Sequence, residues 1–224
     1  MDKIFLGKCI DELATGKVPA KALSTLEISF GIPEKPQLLW FRRQWTKNYV
    51  PVQKSIATAW LDGDRLCVFA LMEDSDVFTY AKGKNDQTWL KGDVMEFFFQ
   101  PEGRRNYYEL HVAPNLATLE LSIPDAKKLV AQKYEFKKLL YKSRMKCRTG
   151  RFKGRGKKGW WGLMSIPAKS IGLKIKSGRL GKFAVCRYNY NKDGGIILQE
   201  SASAPFPKFR FHDPDNWHRL IFCK

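Results

Sequence analysis

Alternation of apolar and polar residues with a period of two runs through much of this chain, and it predicts strands. The clearest instance spans residues 94–112, where Val94–Gln100 and Tyr107–Val112 flank the turn-forming Pro101-Glu102-Gly103. Successive strand side chains point to opposite faces. Val94, Glu96 and Phe98 therefore share one face, and Met95, Phe97 and Phe99 the other. In the second run Tyr108, Leu110 and Val112 oppose Tyr107, Glu109 and His111. Ile56–Trp60 and Leu66–Leu71, joined by Asp62-Gly63-Asp64, read as a hairpin. Further strands are expected at Leu116–Ile123, Tyr141–Arg148, Trp160–Ile166, Phe183–Tyr190, Ile196–Gln199 and Arg219–Cys223. Basic and glycine-rich Gly150–Gly159 and Asn191–Gly195 read as turns. Residues before Gly31 alternate weakly and read as an extended lead-in, paired around Leu26–Phe30. The pattern changes only at Pro124-Asp125, where Asp125 would cap a short helix within 125–140. Many short strands, Gly/Asp turns and little helix predict an all-β fold, an antiparallel β-sandwich of immunoglobulin-like or jelly-roll-like form.

Two of these strands carry a carboxylate in mid-run, Glu96 and Glu109. An acid inside an apolar strand is costly unless it meets water, a partner or a ligand. Trp89 stands just ahead of both. An aromatic face beside hydrogen-bonding acids suits a polyhydroxylated ring. The alternative reading is a fold-holding network, with Glu96 or Glu109 paired to Arg187 and Trp89 packing its own loop.

The same residues carry a family resemblance. Trp89, Gly92-Asp93, Glu96 in an aromatic strand and Tyr107-Tyr108-Glu109-Leu110 through Pro114-Asn115 resemble carbohydrate-binding module family 9 and its family-9-like relatives. Ala59–Asp64, Gly159-Trp160 through Ile166-Pro167, Ile171-Gly172-Leu173 and Phe211–Pro214 with Leu220–Phe222 extend the likeness from about Ile56 to the C-terminus. The resemblance implies a non-catalytic carbohydrate-binding protein, of a kind commonly attached to glycanases and so linked to polysaccharide catabolism. Trp89 would stack on the sugar, while Glu96, Glu109 and Arg187 bind hydroxyls and Tyr190 lies close by. Two positions depart from the family. Glu200–Pro205 has no aromatic where a second stacking tryptophan is expected, leaving Tyr190, Phe206 or Trp161 to substitute. Leu163 stands where a glutamate is expected. Some relatives bind calcium at loop carboxylates, for which Asp74, Asp76 and Asp93 would be the oxygen donors here, at spacings unlike an EF-hand. No other cofactor is implied. The resemblance divides the chain into an N-terminal extension, 1–50, packed on a family-9-like domain, 51–224.

Charge adds a second theme. The net charge of +18 comes from one quarter of the chain. Residues 127–182 hold 19 Lys and Arg against Glu135 alone, while the remainder balances at 21 of each sign. Arg148, Arg151, Lys153, Arg155, Lys157 and Lys158, interleaved with Phe152, Trp160 and Trp161, would suit a polyanion: an acidic polysaccharide or, as the alternative function, nucleic acid. No RNA-recognition or OB-fold signature accompanies them.

The five cysteines are scattered singly, without metal-ligand spacing, and no metal is expected, His212 and His218 included. Nucleophile-elbow, phosphate-loop and HExxH motifs are absent, so an enzyme is not expected. No apolar run is long enough to span a bilayer. The first residues lack a secretory core, which places the chain in the cytoplasm as written, or in the periplasm or outside the cell if the N-terminus is truncated.

Overall fold

The computed structural model describes residues 1–46, 51, 53–176, 178–190 and 197–223. The expected turn Asn191–Gly195 lies outside them. Twelve described strands form two sheets. One has the order β2 (Leu39–Trp40), β3 (Ser55–Asp62), β4 (Arg65–Glu73), β9 (Lys157–Pro167), β8 (Lys146–Gly154). The other runs β1 (Thr25–Ile28), β12 (His218–Phe222), β10 (Gly178–Tyr190), β5 (Val94–Pro101), β6 (Tyr107–Val112), β7 (Thr118–Ile123), with β11 (Ile197–Ala202) also paired to β10. All neighbours are antiparallel except β1 and β12. The β-sandwich expected from the alternation is therefore what forms.

The face assignment for 94–112 holds. Met95, Phe97, Phe99, Leu110 and Val112 point inward and pack with Val68, Ala70, Trp160 and Met164 of the facing sheet. Phe98 and Tyr107 point outward, into a second apolar cluster with Phe206, Phe211 and Trp217. Both sheets thus bury residues on both faces, so an outward-facing position in these strands can be as apolar as an inward-facing one.

The first fifteen residues correct the expected extended lead-in: Lys3–Thr15 is a helix, α1. Asp2 caps it by accepting the Phe5 amide proton at 2.7 Å. Phe5, Cys9 and Leu13, four residues apart, are all buried, a helical stripe that a period-two search passes over. They cover the outer face of the first sheet at Trp60, Phe69 and Trp161, and burying Phe5 or Leu13 contributes about 1.5–3 kcal/mol each. Asp125 does cap a short helix, α2 (Ala126–Val130), accepting from the Lys128 amide at 3.0 Å. A second turn of helix, α3 (Phe136–Leu139), follows.

The basic stretch also differs from expectation. Strand β8 begins at Lys146 instead of Tyr141 and runs through the predicted turn to Gly154, so only Arg155-Gly156 turns. Gly150 marks a close approach: a Cβ there would lie 2.6 Å from the Trp161 ring. Gly159 likewise sits against a neighbouring strand, where a Cβ would meet the Met72 carbonyl at 2.0 Å. Both glycines serve packing within strands.

His218 ties β12 to its surroundings. Its Nδ1 lies 2.6 Å from the Leu23 carbonyl and its Nε2 3.1 Å from Ser203 Oγ, which also accepts the Val185 amide proton. These partners suit the neutral ring, and burial pushes its pKa down to about 4. With the folded pKa below the unfolded one, the unfolded chain binds the extra proton. The His218 contribution is then complete above pH 6.5 and is lost as pH falls towards 4, by up to about 3 kcal/mol. Urea unfolding of wild type and His218→Gln across pH 4–7.5 should show that difference; parallel curves would refute it.

Candidate functional site

Register builds the candidate site on the outer face of the larger sheet. Pairing β5 with β6 sets Glu96 opposite His111 and Phe98 opposite Glu109, so both acids and the histidine emerge on one side. His111 Nε2 lies 2.8 Å from Glu109 Oε1 and 3.4 Å from Glu96 Oε1. Its Nδ1 is 2.8 Å from Thr88 Oγ1, in the short 3-10 turn Thr88–Leu90 that carries Trp89. Glu96 is only 2% exposed and Glu109 6%. These acids lie beneath the surface instead of facing open water.

Burial raises the Glu96 pKa to about 8, against the pull of His111 and with repulsion from Glu109 adding to it. For His111 burial acts downward, but the two carboxylates outweigh it and raise its pKa. In Glu109 burial acts upward and is outweighed by His212 and His111, leaving the carboxyl below its usual range. Burial keeps the His212 pKa itself lowered. The shifts push Glu96 towards its neutral form and Glu109 and His111 towards their charged forms. Among the described residues, Glu96, Glu109 and His111 could place ligand atoms within 4.8 Å of one another around an ion.

Above this floor stand half-buried aromatics. Trp89 meets His111 edge-on at 5.9 Å and Phe136 at 5.8 Å between ring centroids. Tyr190, itself buried, donates its hydroxyl proton to the Trp89 carbonyl and so fixes that loop. Tyr188 packs on Phe211 at 5.6 Å. Phe211 in turn contacts Trp45, which lies 5.3 Å from exposed Phe209. Trp89, Trp45, Phe136 and Tyr188 all border the same outer cluster.

Arg187 does not join them. It pairs with Met95 in the β10–β5 register, one residue from the Cys186–Glu96 pair, and so points inward. There it is 0% exposed, 3.0 Å from Asp74, and donates to Ser55, Asn189 and the Glu73 carbonyl. Arg187 is therefore not beside Glu96 and Glu109 as the hydroxyl-binding expectation needed, and the alternative reading, an ion pair with one of them, is replaced by one with Asp74, because strand alternation puts the two sets on opposite faces.

The suggested aromatic substitutes fail for related reasons. Phe206 is fully buried, Tyr190 is 4% exposed, and Trp161 packs under α1 on the other sheet. Trp45, missed in the sequence, packs half-buried against the same outer cluster as Trp89. It lies before the family-like motifs in the chain, and only the tertiary fold carries it there.

The aspartates do not suit calcium. One Asp74 oxygen accepts from Arg187 and the other from the Asp76 amide. Asp93 accepts from the Phe78 and Tyr190 amides, one on each oxygen. A guanidinium beside Asp74 repels a cation.

The basic hairpin is exposed at Arg148, Arg151, Lys153, Arg155 and Lys158, with Lys157 half-buried. Alternation divides it: Arg151 and Lys153 share one face, and Arg148 takes the other. Arg155 pairs with Asp11 at 2.7 Å and Lys157 with Glu73 at 2.8 Å. The six cations therefore do not form one continuous face.

No family model matches the sequence, and no curated protein matches it. Solved structures do resemble the fold. One, a carbohydrate-binding protein by inference from Bacteroides uniformis ATCC 8492, superposes with a TM-score of 0.62 at 15% identity, over 89% of this chain and 99% of that one. A carbohydrate binding module of family 9 from Caldicellulosiruptor kristjanssonii, in complex with cellotriose, gives 0.62 at 10% identity, over 88% and 93%. The same organism's family 9 module with glucose gives 0.60 at 10%, over 89% and 95%. The chain has the fold of a family 9 carbohydrate-binding module.

Proposed function

We propose that this protein binds carbohydrate without transforming it, on the outer face of the larger sheet, and serves polysaccharide breakdown. Trp89 and Trp45 flank the sugar, and Glu109 accepts its hydroxyl protons. One observation carries the reading: Glu109 Oε2 is buried and has no hydrogen-bond partner among the described residues. A buried acceptor left unmade is costly, and a sugar hydroxyl arriving between half-buried aromatics supplies the missing donor. The Nδ1 atom of His212 lies 3.8 Å away, too far for a hydrogen bond. Glu96, the deeper acid, lies 3.4 Å from His111 Nε2 and supports it. Glucose and cellotriose, the ligands of the structurally similar family 9 modules, are the first sugars to test.

Calorimetric titration of the full chain with both sugars should show saturable binding that is insensitive to salt. Trp89→Ala should weaken it about ten- to a hundredfold, the loss expected for one large buried contact. Absence of binding to any neutral or acidic glycan, with nucleic-acid binding intact and steeply salt-dependent, would refute the proposal in favour of the basic hairpin.

A further inference from the structure

A separate cavity of about 390 Å³ opens at one end of the sandwich, between the β4–β5 connection and the edge strand β8. Val77, Phe78, Thr79 and Tyr80 line one side, Arg151 and Gly150 the other, with Trp160 and the Pro114-Asn115 turn between them. Its volume falls in the range of small-ligand sites, about 300–1,000 Å³. Arg151 is its one charged lining residue.

The aromatic side is held rigidly. Phe78 donates its amide proton to Asp93 Oδ2 at 2.7 Å and accepts the Asp93 amide at 2.9 Å, while the Tyr80 amide donates to the Lys91 carbonyl at 2.6 Å. Gly92, at φ +134°, lies so close that a Cβ would meet Thr79 Cα at 2.5 Å. Tyr80 is nevertheless 63% exposed, and its ring meets Phe78 edge-on at 5.5 Å. A fixed loop presenting an exposed aromatic binds with little ordering cost. Across from it, one guanidinium nitrogen of Arg151 donates to the Val77 carbonyl at 3.1 Å, which pins the head group and leaves its other donors for a ligand. Trp160 lines the same cavity, is 1% exposed, and its Nε1–H has no acceptor among the described residues.

We infer that this cavity is a second saccharide site, selective for a uronate: a pyranose ring stacked on Tyr80 with its carboxylate on Arg151. A guanidinium fork matches a carboxylate geometrically. The aromatic wall takes the ring's C–H face, and the Trp160 N–H supplies a donor for a ring or hydroxyl oxygen. The site shares no residue with the Trp89 face, so the two readings stand or fall separately.

The test is calorimetry on the full chain with a galacturonate oligosaccharide, its neutral galactose counterpart and a sulfated one. Uronate binding should exceed neutral binding at this site. Tyr80→Ala and Arg151→Gln should each weaken it about tenfold or more, and Trp89→Ala should leave it unchanged. Tyr80 is exposed, so an unaltered melting curve for Tyr80→Ala separates lost binding from lost folding. Loss of glucose binding in Trp89→Ala with uronate binding intact supports both sites. Uronate binding without any neutral-sugar binding supports this site alone. No uronate binding, preference for the sulfated sugar, or loss on Trp89→Ala but not on Tyr80→Ala overturns it.

Discussion

Arg187→Met should destabilise the protein by about 3–5 kcal/mol, a drop in Tm of roughly 10 °C for a chain of this size. Arg187 lies fully buried between the sheets and donates to Asp74, Asn189, Ser55 and the Glu73 carbonyl. Burial pushes its pKa down and that of Asp74 up, and each charge pulls the other back. Asp93, the next acid in the network, is raised to about 7 by burial and by repulsion from Asp74. Removing the guanidinium leaves these acids without their counter-charge and strips Asn189, which also donates to Gln53 at 2.5 Å, of its donor. The loss should be partly restored in Arg187→Met with Asp74→Asn, because deleting both members of a buried pair costs far less than deleting one. Urea denaturation measures both. A single variant within 1 kcal/mol of wild type would show that the network contributes little.

Phe98→Ala is expected to cost a similar amount, about 3–5 kcal/mol. Phe98 is buried on the outer face, with ring centroids 6.3 Å from Phe211, 5.4 Å from His212 and 5.7 Å from Trp217. It is the sheet's anchor for the segment 204–217, which brings Phe209 and Phe211 against Trp45. Truncation should therefore loosen that segment beyond the global loss of stability, visible as faster amide exchange over 204–217 than over β10. Phe209→Ala, at a half-exposed ring, is the control and should stay within about 0.5 kcal/mol. Equal exchange in the two segments would remove Phe98 from its anchoring role.

How much of this was legible in the residues differs from one element to the next. The β3–β4 and β5–β6 hairpins could be read directly, since a period of two with a glycine turn between leaves little alternative. Helix α1 carried a readable signal in Asp2 and the Phe5, Cys9, Leu13 spacing, at a period of about four instead of two. The extent of β8 was hidden because Gly150 and Gly154 look like turn residues, while in fact a neighbouring indole requires the first of them to lack a side chain.

The site divides in the same way. Alternation within β5 and β6 is local, so the sequence alone determined that Glu96, Phe98, Glu109 and His111 each sit opposite a core-facing neighbour. Which residues meet across strands, and on which face, depends on register and on chain segments far apart in sequence. Tertiary structure alone decided that His111 would lie between the two acids, that Arg187 would turn inward to Asp74, and that Trp45 would join the outer cluster that Trp89 also borders. A strand's period fixes only relative direction; the partner chosen by packing turns direction into a site.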